Sequence, residues 1–209
     1  HRIQKWAPGA TSGTTVAGGN GGEGAAANQL NTPIGIAIDA SGNIFIADRG
    51  NHRIQKWTPG ATSGTTVLGG NGQGSAPNQL ASPEDVFVDG TGNIYAADTG
   101  NHRVQKWSYG YNSISTAAGG SGRGSDILQL ANPRGVFVDK SGNIFVSDTE
   151  NSRVMKWISV GVINLPVAGG NGVGSAVNQL SFPHGLFVDS AGFIYVADTG
   201  NHRIQKWGQ

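Results

Sequence analysis

NHRVQKW, residues 101–107, decides how the chain is read, because it occurs again and again. It returns as NHRIQKW at 51–57, NSRVMKW at 151–157 and NHRIQKW at 201–207, and the chain begins HRIQKW. The spacing is 50 residues, apart from one extra residue in the first Gly-rich loop, GGNGGEG. All five tryptophans, Trp6, Trp57, Trp107, Trp157 and Trp207, close a copy of this motif. The segments between copies repeat too: PEDVFVDGTGNIYAAD (83–98), PRGVFVDKSGNIFVSD (133–148) and PHGLFVDSAGFIYVAD (183–198). Periods of ~20–50 residues mark solenoids, propellers or arrays.

Each unit reads as four strands. VFVD (86–89) is apolar on both alternating faces, as expected of a strand covered on both sides. GTGN (90–93) suits a tight hairpin turn into IYAAD (94–98), and TGN leads to HRVQKW (102–107). The fourth strand is short, TTVLG at 65–69, with TTVAG (14–18) and LPVAG (165–169) as copies. A long loop such as GNGQGSAPNQLASP (70–83) returns to the next unit, and no segment has helical periodicity. Four antiparallel strands with the most apolar strand first is the blade pattern of a β-propeller, in which blades pack face to face about an axis.

The pattern PxGxxxDxxGNIYxADTGNHRIQKW resembles the NHL repeat over nearly the whole chain. The resemblance implies an all-β fold: a single domain of four NHL-type repeats over 1–209, built of four-stranded antiparallel blades, either a closed four-bladed ring or part of a larger propeller. The ends bear on that choice. Residues 2–6 and 14–17 supply a third and a fourth strand, and 185–189, 193–198 and 202–207 supply a first, second and third. Joined, they would make a blade from both termini and hide the sheet edges. The third strand is then present twice. In a closed ring at most one copy pairs, and the other is either disordered or paired with a second molecule; both copies paired in separate blades would indicate part of a larger propeller.

Composition narrows the function. Charged residues are 13% of the chain, about half the usual ~25%, and the formal net charge is +1, so no field favours nucleic acid or an anionic membrane. There is no cysteine, which removes disulfides, a thiol nucleophile and Cys-type zinc, and no run of 18 apolar residues that could span a membrane. The sparse charge and the Asn, Ser, Thr and Gly suggest an extracellular setting.

A residue that recurs in the repeated motif belongs to the scaffold. That applies to His52, His102 and His202, to Asp48, Asp98, Asp148 and Asp198, and to Arg53, Arg103, Arg153 and Arg203. Buried arginines need partners, so Asp–Asn–Arg hydrogen bonds are expected around the loop between second and third strands. The GxGxG loops lack the lysine and helix of a phosphate site, and the DxSGN turns lack the acidic residue that would complete a calcium loop. No cofactor or metal is implied by either.

The exceptions are the candidates. The residue after each first-strand proline opens the innermost strand at the channel mouth, and there the four units carry Ile34, Glu84, Arg134 and His184. Other departures fall on the same face, called top here: Arg49 and Glu150 after the second strand, Asp85 where other units have glycine, Ser152 where others have histidine, and Arg123 and Asp126 in the long loop. Variable positions on a rigid scaffold are where binding is carried. The resemblance also implies a zinc reading, because NHL-type peptide-amidating lyases bind zinc through Pro-His-Gly-like motifs, and PHG stands at 183–185. It stands there once, however, and catalytic zinc wants three protein ligands. The expectation is therefore a non-enzymatic module binding a protein, peptide or glycan, with His184 a rim residue titrating near ~6.5. The alternatives are a metal-dependent lyase or lactonase, and an architectural segment of a longer extracellular repeat protein.

Overall fold

The computed structural model describes residues 1–158 and 164–208. It is all-β, with helical structure limited to three-residue 3-10 turns such as Thr99–Asn101 among the described residues. The first blade is β3 (Pro33–Ile38), β4 (Ile44–Asp48), β5 (Arg53–Trp57) and β6 (Thr65–Gly69). The second is β7 (Asp85–Val88), β8 (Ile94–Asp98), β9 (Arg103–Ser108) and β10 (Ser113–Gly119). The third is β11 (Pro133–Val138), β12 (Ile144–Asp148), β13 (Arg153–Trp157) and β14 (Leu165–Gly169). The fourth contains β15 (Pro183–Val188), β16 (Ile194–Asp198) and β17 (Arg203–Trp207), and an N-terminal pair is formed by β1 (Arg2–Lys5) and β2 (Thr14–Gly18). Each sheet is an antiparallel meander, with the innermost strands packed side by side in the order β3, β7, β11, β15. These are the blades of a β-propeller.

Alternation decides how the blades stack. Successive strand residues point to opposite faces, so in each blade one set faces the preceding blade and the other the following one. Ile54 and Phe45 of the first blade pack with Val86 and Ala96 of the second. Val104 and Ala97 pack with Val136 and Val146, and Val154 and Phe145 with Val196, at the next two interfaces. Phe137 stands between Phe87 and Phe187, with ring centroids 5.1 and 5.4 Å away. The first strands are thus covered on both sides wherever a blade lies on each side.

The turns follow from local chemistry. In the hairpin after β7, Asp89 Oδ1 accepts the N–H groups of Thr91 and Asn93 at 2.9 and 3.0 Å, and Gly92 takes φ +86°. The same bonds recur at Asp39 and Asp139, so these aspartates serve the turn. The long loops use glycine for space: a Cβ on Gly74 would lie 2.1 Å from the Gln79 side chain, which itself bonds the Asn71 carbonyl.

The ends do not meet as a single closed blade. Arg2 pairs with Gly18 within β1–β2, and Arg203 pairs with Asp198 within β16–β17. Both copies of the third strand are therefore paired, in separate sheets, and the expectation that only one would pair in a closed ring gives way to a partial ring with two open end faces. Exposure marks them. Ile36 and Ile38 on the first blade are 48% and 63% exposed, whereas Val86 and Val136, at the position of Ile36, are 3%. Ile204 on the fourth blade is 69% exposed, whereas Ile54, Val104 and Val154 are 0%.

The tryptophans divide by position. Trp57 is 1% exposed and Trp157 is buried, but Trp6 at the open end is 56% exposed. Trp107 is half-buried against the core between the first two blades, and its Nε1–H donates to Asn112 Oδ1 at 3.2 Å. Trp57→Ala is expected to cost about 3–5 kcal/mol and Trp6→Ala below about 1 kcal/mol, read as shifts of the urea midpoint. Equal shifts for the two would show that blade packing does not set the cost.

Candidate functional site

The top face is built on the knot that the repeat places at every second-to-third strand loop. In the second blade Asp98 accepts from Arg103 Nε at 2.7 Å, from Asn101 Nδ2 at 2.8 Å and from the Ala81 N–H at 2.7 Å. The Arg103 guanidinium also donates to the carbonyls of Ser75, Ala76 and Gln79 in the preceding long loop. The first, third and fourth blades repeat the arrangement around Asp48, Asp148 and Asp198. The repeated histidines are scaffold as well: His52 Nδ1 accepts the Ser82 N–H at 3.0 Å and His102 Nδ1 the Asn132 N–H at 3.1 Å. His102 is held below its ordinary pKa, by burial and by the charge of Arg123, so it stays neutral and keeps its acceptor.

On this frame four of the non-repeating residues come together at the channel mouth. Glu84 is buried beneath two half-exposed arginines: Arg49 Nε lies 3.4 Å from Oε1 and Arg134 Nε 3.5 Å from Oε2. Arg134 Nη1 donates to His184 Nε2 at 2.8 Å. Guanidinium has no acceptor, so His184 Nε2 carries the lone pair and its proton sits on Nδ1. Burial and the neighbouring Arg134 charge hold the His184 pKa below its ordinary value, against the pull of Glu84. The ring is thus neutral at neutral pH, and the expected titration near ~6.5 moves to lower pH.

The remaining candidates separate from this group. Arg123 Nη2 and Glu150 Oε2 form an ion pair at 2.6 Å, with Asn132 Nδ2 donating to the other Glu150 oxygen. Those bonds hold the Glu150 carboxyl below its usual pKa although burial alone would raise it. Asp126 lies apart, beside Ser121, Ile127 and Leu128 in a shallow cleft of the long loop. Ile34 is exposed beside the open face of the first blade and touches none of the charged cluster in the bonds described. Ser152 is a correction: at 1% exposure it is buried beneath the top face rather than presented on it, and its hydroxyl has no protein hydrogen-bond partner.

Asp85 is a second correction, because its carboxylate turns into the ring of innermost strands. Its oxygens accept the N–H groups of Val86 at 2.9 Å and of Val136 on the neighbouring β11 at 3.0 Å. On the other side it abuts Gly35, where a Cβ would lie 2.5 Å from Oδ1. Burial raises its pKa from 3.8 to about 6 despite the two backbone bonds.

Sequence reasoning missed a cavity at the other end of the strands. A space of about 360 Å³ between the first two blades is lined by Asp39, Asn43, Lys56, Asp89, Trp107 and Tyr109. The available signal was Tyr109, an aromatic where the first blade has Pro59. Among the described residues no three His, Cys, Asp or Glu side chains converge as a metal site would need, and no helix is long and apolar enough to cross a membrane.

The fold and its repeated knot define a propeller of four-stranded blades. The NHL repeat model matches residues 30–57, 80–107, 130–157 and 180–207, and the chain belongs to the NHL-repeat family. Solved structures share the fold. An auxiliary nutrient binding protein from Bacteroides thetaiotaomicron aligns over 99% of this chain and 58% of its own, at 14% identity and a TM-score of 0.67. A virginiamycin B lyase from Staphylococcus aureus, crystallised with quinupristin, aligns over 90% of this chain and 59% of its own, at 14% identity and a TM-score of 0.60. A nidogen/laminin complex contributes a chain aligned over 86% of this one and 65% of its own, at 18% identity and a TM-score of 0.58. The chain therefore spans under two thirds of the length of these relatives. No curated protein matches it.

Asp85 gives a pH prediction. Between about 4 and 6 the folded chain holds a proton on Asp85 that the unfolded chain has released, since the folded pKa is the higher. This residue therefore makes stability fall as pH rises through that window, by on the order of 1–3 kcal/mol, and the penalty is complete above it. Asp85→Asn should lose the penalty, so its denaturation midpoint should gain on the wild type steadily from pH 4 to pH 7. Parallel curves would show that the carboxylate is solvated.

Proposed function

We propose that the chain is a non-enzymatic interaction module that binds a protein, peptide or glycan through the top face, in an extracellular setting. The observation that carries this reading is the convergence of Arg49, Glu84, Arg134 and His184, the residues that break the repeat, into one bonded group at the channel mouth. The two arginine side chains are partly exposed, although each Nε is buried, and Glu84 beneath them is buried, so the charge turned to solvent is mainly positive. Planar guanidiniums recognise carboxylates through paired hydrogen bonds, which favours an acidic peptide or an acidic sugar. Rigid backbone on both sides of the group limits the ordering cost of binding.

The group is better built for holding a ligand than for proton transfer or metal activation. Arg134 occupies His184 Nε2, the ring atom nearest the cluster, and a cation placed there would stand beside two fixed positive charges. The binding proteins among the structural relatives support a binding role loosely, through fold alone.

The test is a screen of acidic and neutral peptides and glycans, with hits titrated by calorimetry against the wild type and an Arg49→Ala/Arg134→Ala variant. The expected result is an acidic ligand whose affinity drops at least about tenfold, or 1.4 kcal/mol, in the variant. A hit that the variant binds equally well, or that is lost on Tyr109→Ala instead, would move the function to the cavity at the opposite end.

A further inference from the structure

The cavity of about 360 Å³ lies between two complete four-stranded sheets, the first and second blades, at the end of the strands opposite the charged group. Its volume is at the lower end of the ~300–1,000 Å³ common among ligand pockets. Departures of the second blade from the first shape it. In the first blade the loop between third and fourth strands folds down onto its tryptophan: the Gly64 N–H donates to the Ala27 carbonyl of the preceding long loop at 2.8 Å, and Gly64 leaves no room for a Cβ against the Trp57 ring. Trp57 is accordingly buried. In the second blade Ile114 pairs with the tryptophan instead, and Trp107 is half-buried, with its ring on the cavity wall. Tyr109, where the first blade has Pro59, meets the Trp107 ring edge-on, at 5.7 Å between centroids and 71° between planes.

The polar lining divides into groups already spent and groups still open. Asp89 accepts the Thr91 and Asn93 N–H groups, the Thr91 hydroxyl, the Asn93 side-chain amide and the Tyr95 hydroxyl. Asp39 accepts the Ser41 and Asn43 N–H groups and the Asn43 amide. Burial would raise both carboxyls, but these bonds hold them below the usual value, so both are ionised and both are committed to their turns. Asn43 Oδ1 is different. In the second blade the equivalent oxygen, Asn93 Oδ1, accepts the Tyr109 N–H at 3.1 Å. Pro59 has no N–H to give at that place, so Asn43 keeps an acceptor without a donor at the wall. Lys56 Nζ, Ser41 Oγ and Tyr109 Oη also line the space with no hydrogen bond among the described residues.

This inventory selects a guest. The Lys56 ammonium opposes a cation in the cavity, and the ionised Asp39 and Asp89 oppose an anion. What is open is one acceptor, one cationic donor and two hydroxyls that can do either, beside the apolar Trp107, Val67 and Ile94. A neutral ring with hydroxyls around its edge and C–H groups on its face satisfies both sets. We propose that the cavity is a second binding site, which takes a neutral sugar ring with its C–H face on Trp107 and Tyr109 and its hydroxyls on Asn43, Ser41 and Lys56. The site stands apart from the top face, and the two readings can fail separately. An acidic ligand that did not need Arg49 and Arg134 would sink the top-face reading and leave this one standing.

The test titrates the full chain with methyl α-glucoside, methyl α-mannoside, methyl β-galactoside and N-acetylglucosamine, with tetramethylammonium and acetate as charged probes. Binding is read from the tryptophan indole signals in proton–nitrogen correlation spectra, where Trp107→Phe identifies the Trp107 signal by its loss. At least one sugar should move that signal saturably. Tyr109→Ala removes a side chain that is 65% exposed, keeps the N–H that Asn93 needs, and should weaken the sugar at least about fivefold; circular dichroism confirms that it folds. Arg49→Ala/Arg134→Ala should bind the sugar as the wild type does. No saturable shift with any of the four sugars would overturn the proposal. So would a Tyr109→Ala variant with unchanged affinity, an arginine variant that loses the sugar, or a charged probe that binds as tightly as the best sugar.

Discussion

The buried aspartate that ends each second strand is the interaction on which the rest of the structure depends. Asp48, Asp98, Asp148 and Asp198 are all 0% exposed, and a carboxylate taken out of water is strongly unfavourable unless its lone pairs are filled. Here each is met by an arginine, an asparagine and a backbone N–H, and the arginine in turn fastens three carbonyls of a long loop. One side chain thus ties the second strand, the 3-10 turn, the third strand and the long loop that enters from the preceding blade. Burial still raises Asp98 and Asp148, against the pull of their bonds, where blades cover them on both sides. At the open fourth blade those bonds win over a smaller burial and Asp198 is lowered.

Because the knot fixes the top-face loops, what varies there varies on a rigid platform. Glu84, Arg134 and His184 occupy one repeat position on three adjacent innermost strands, and the close packing of those strands brings them within bonding reach. No motif search within a single unit could find this group, since its members lie 50 residues apart. Comparing equivalent positions across units found them, and Arg49 and the Arg123–Glu150 pair with them. The same comparison could not tell which way a departure points. Asp85 and Ser152 break the repeat as plainly as Arg134 does, yet one turns between strands and the other is sealed inside. Sidedness of that kind is set by the distance between blades, which sequence periodicity does not encode.

The strands, turns and scaffold roles were legible because repetition averages out the ambiguity of any one segment. A histidine in one blade could be a ligand; a histidine in His52 and His102 that takes a backbone N–H of the next loop each time is architecture. What sequence could not supply was the state of the terminal blades. Ile204 and Ile54 lie in identical RIQKW segments, and only the presence of a following blade makes one buried and the other exposed. The His184 pKa depends on the same kind of cross-blade information: burial lowers it most, and then the charge of Arg134, which stands on another blade.

A chain of repeats has a thermodynamic property that ordinary domains lack. Its stability is close to a sum of unit terms and nearest-neighbour interface terms, so an end unit lacks half of its interface stabilisation. The Thr199 hydroxyl bonded within its own strand, the open space at Gly185 and the exposed Ile36, Ile38 and Ile204 are the same repeat positions that the internal interfaces cover. Solvating apolar surface of that kind is unfavourable by roughly 25 cal/mol per Å², and unpaired strand edges recruit other strands. Any blade with this repeat's register that meets either end therefore gains what the three internal interfaces already have.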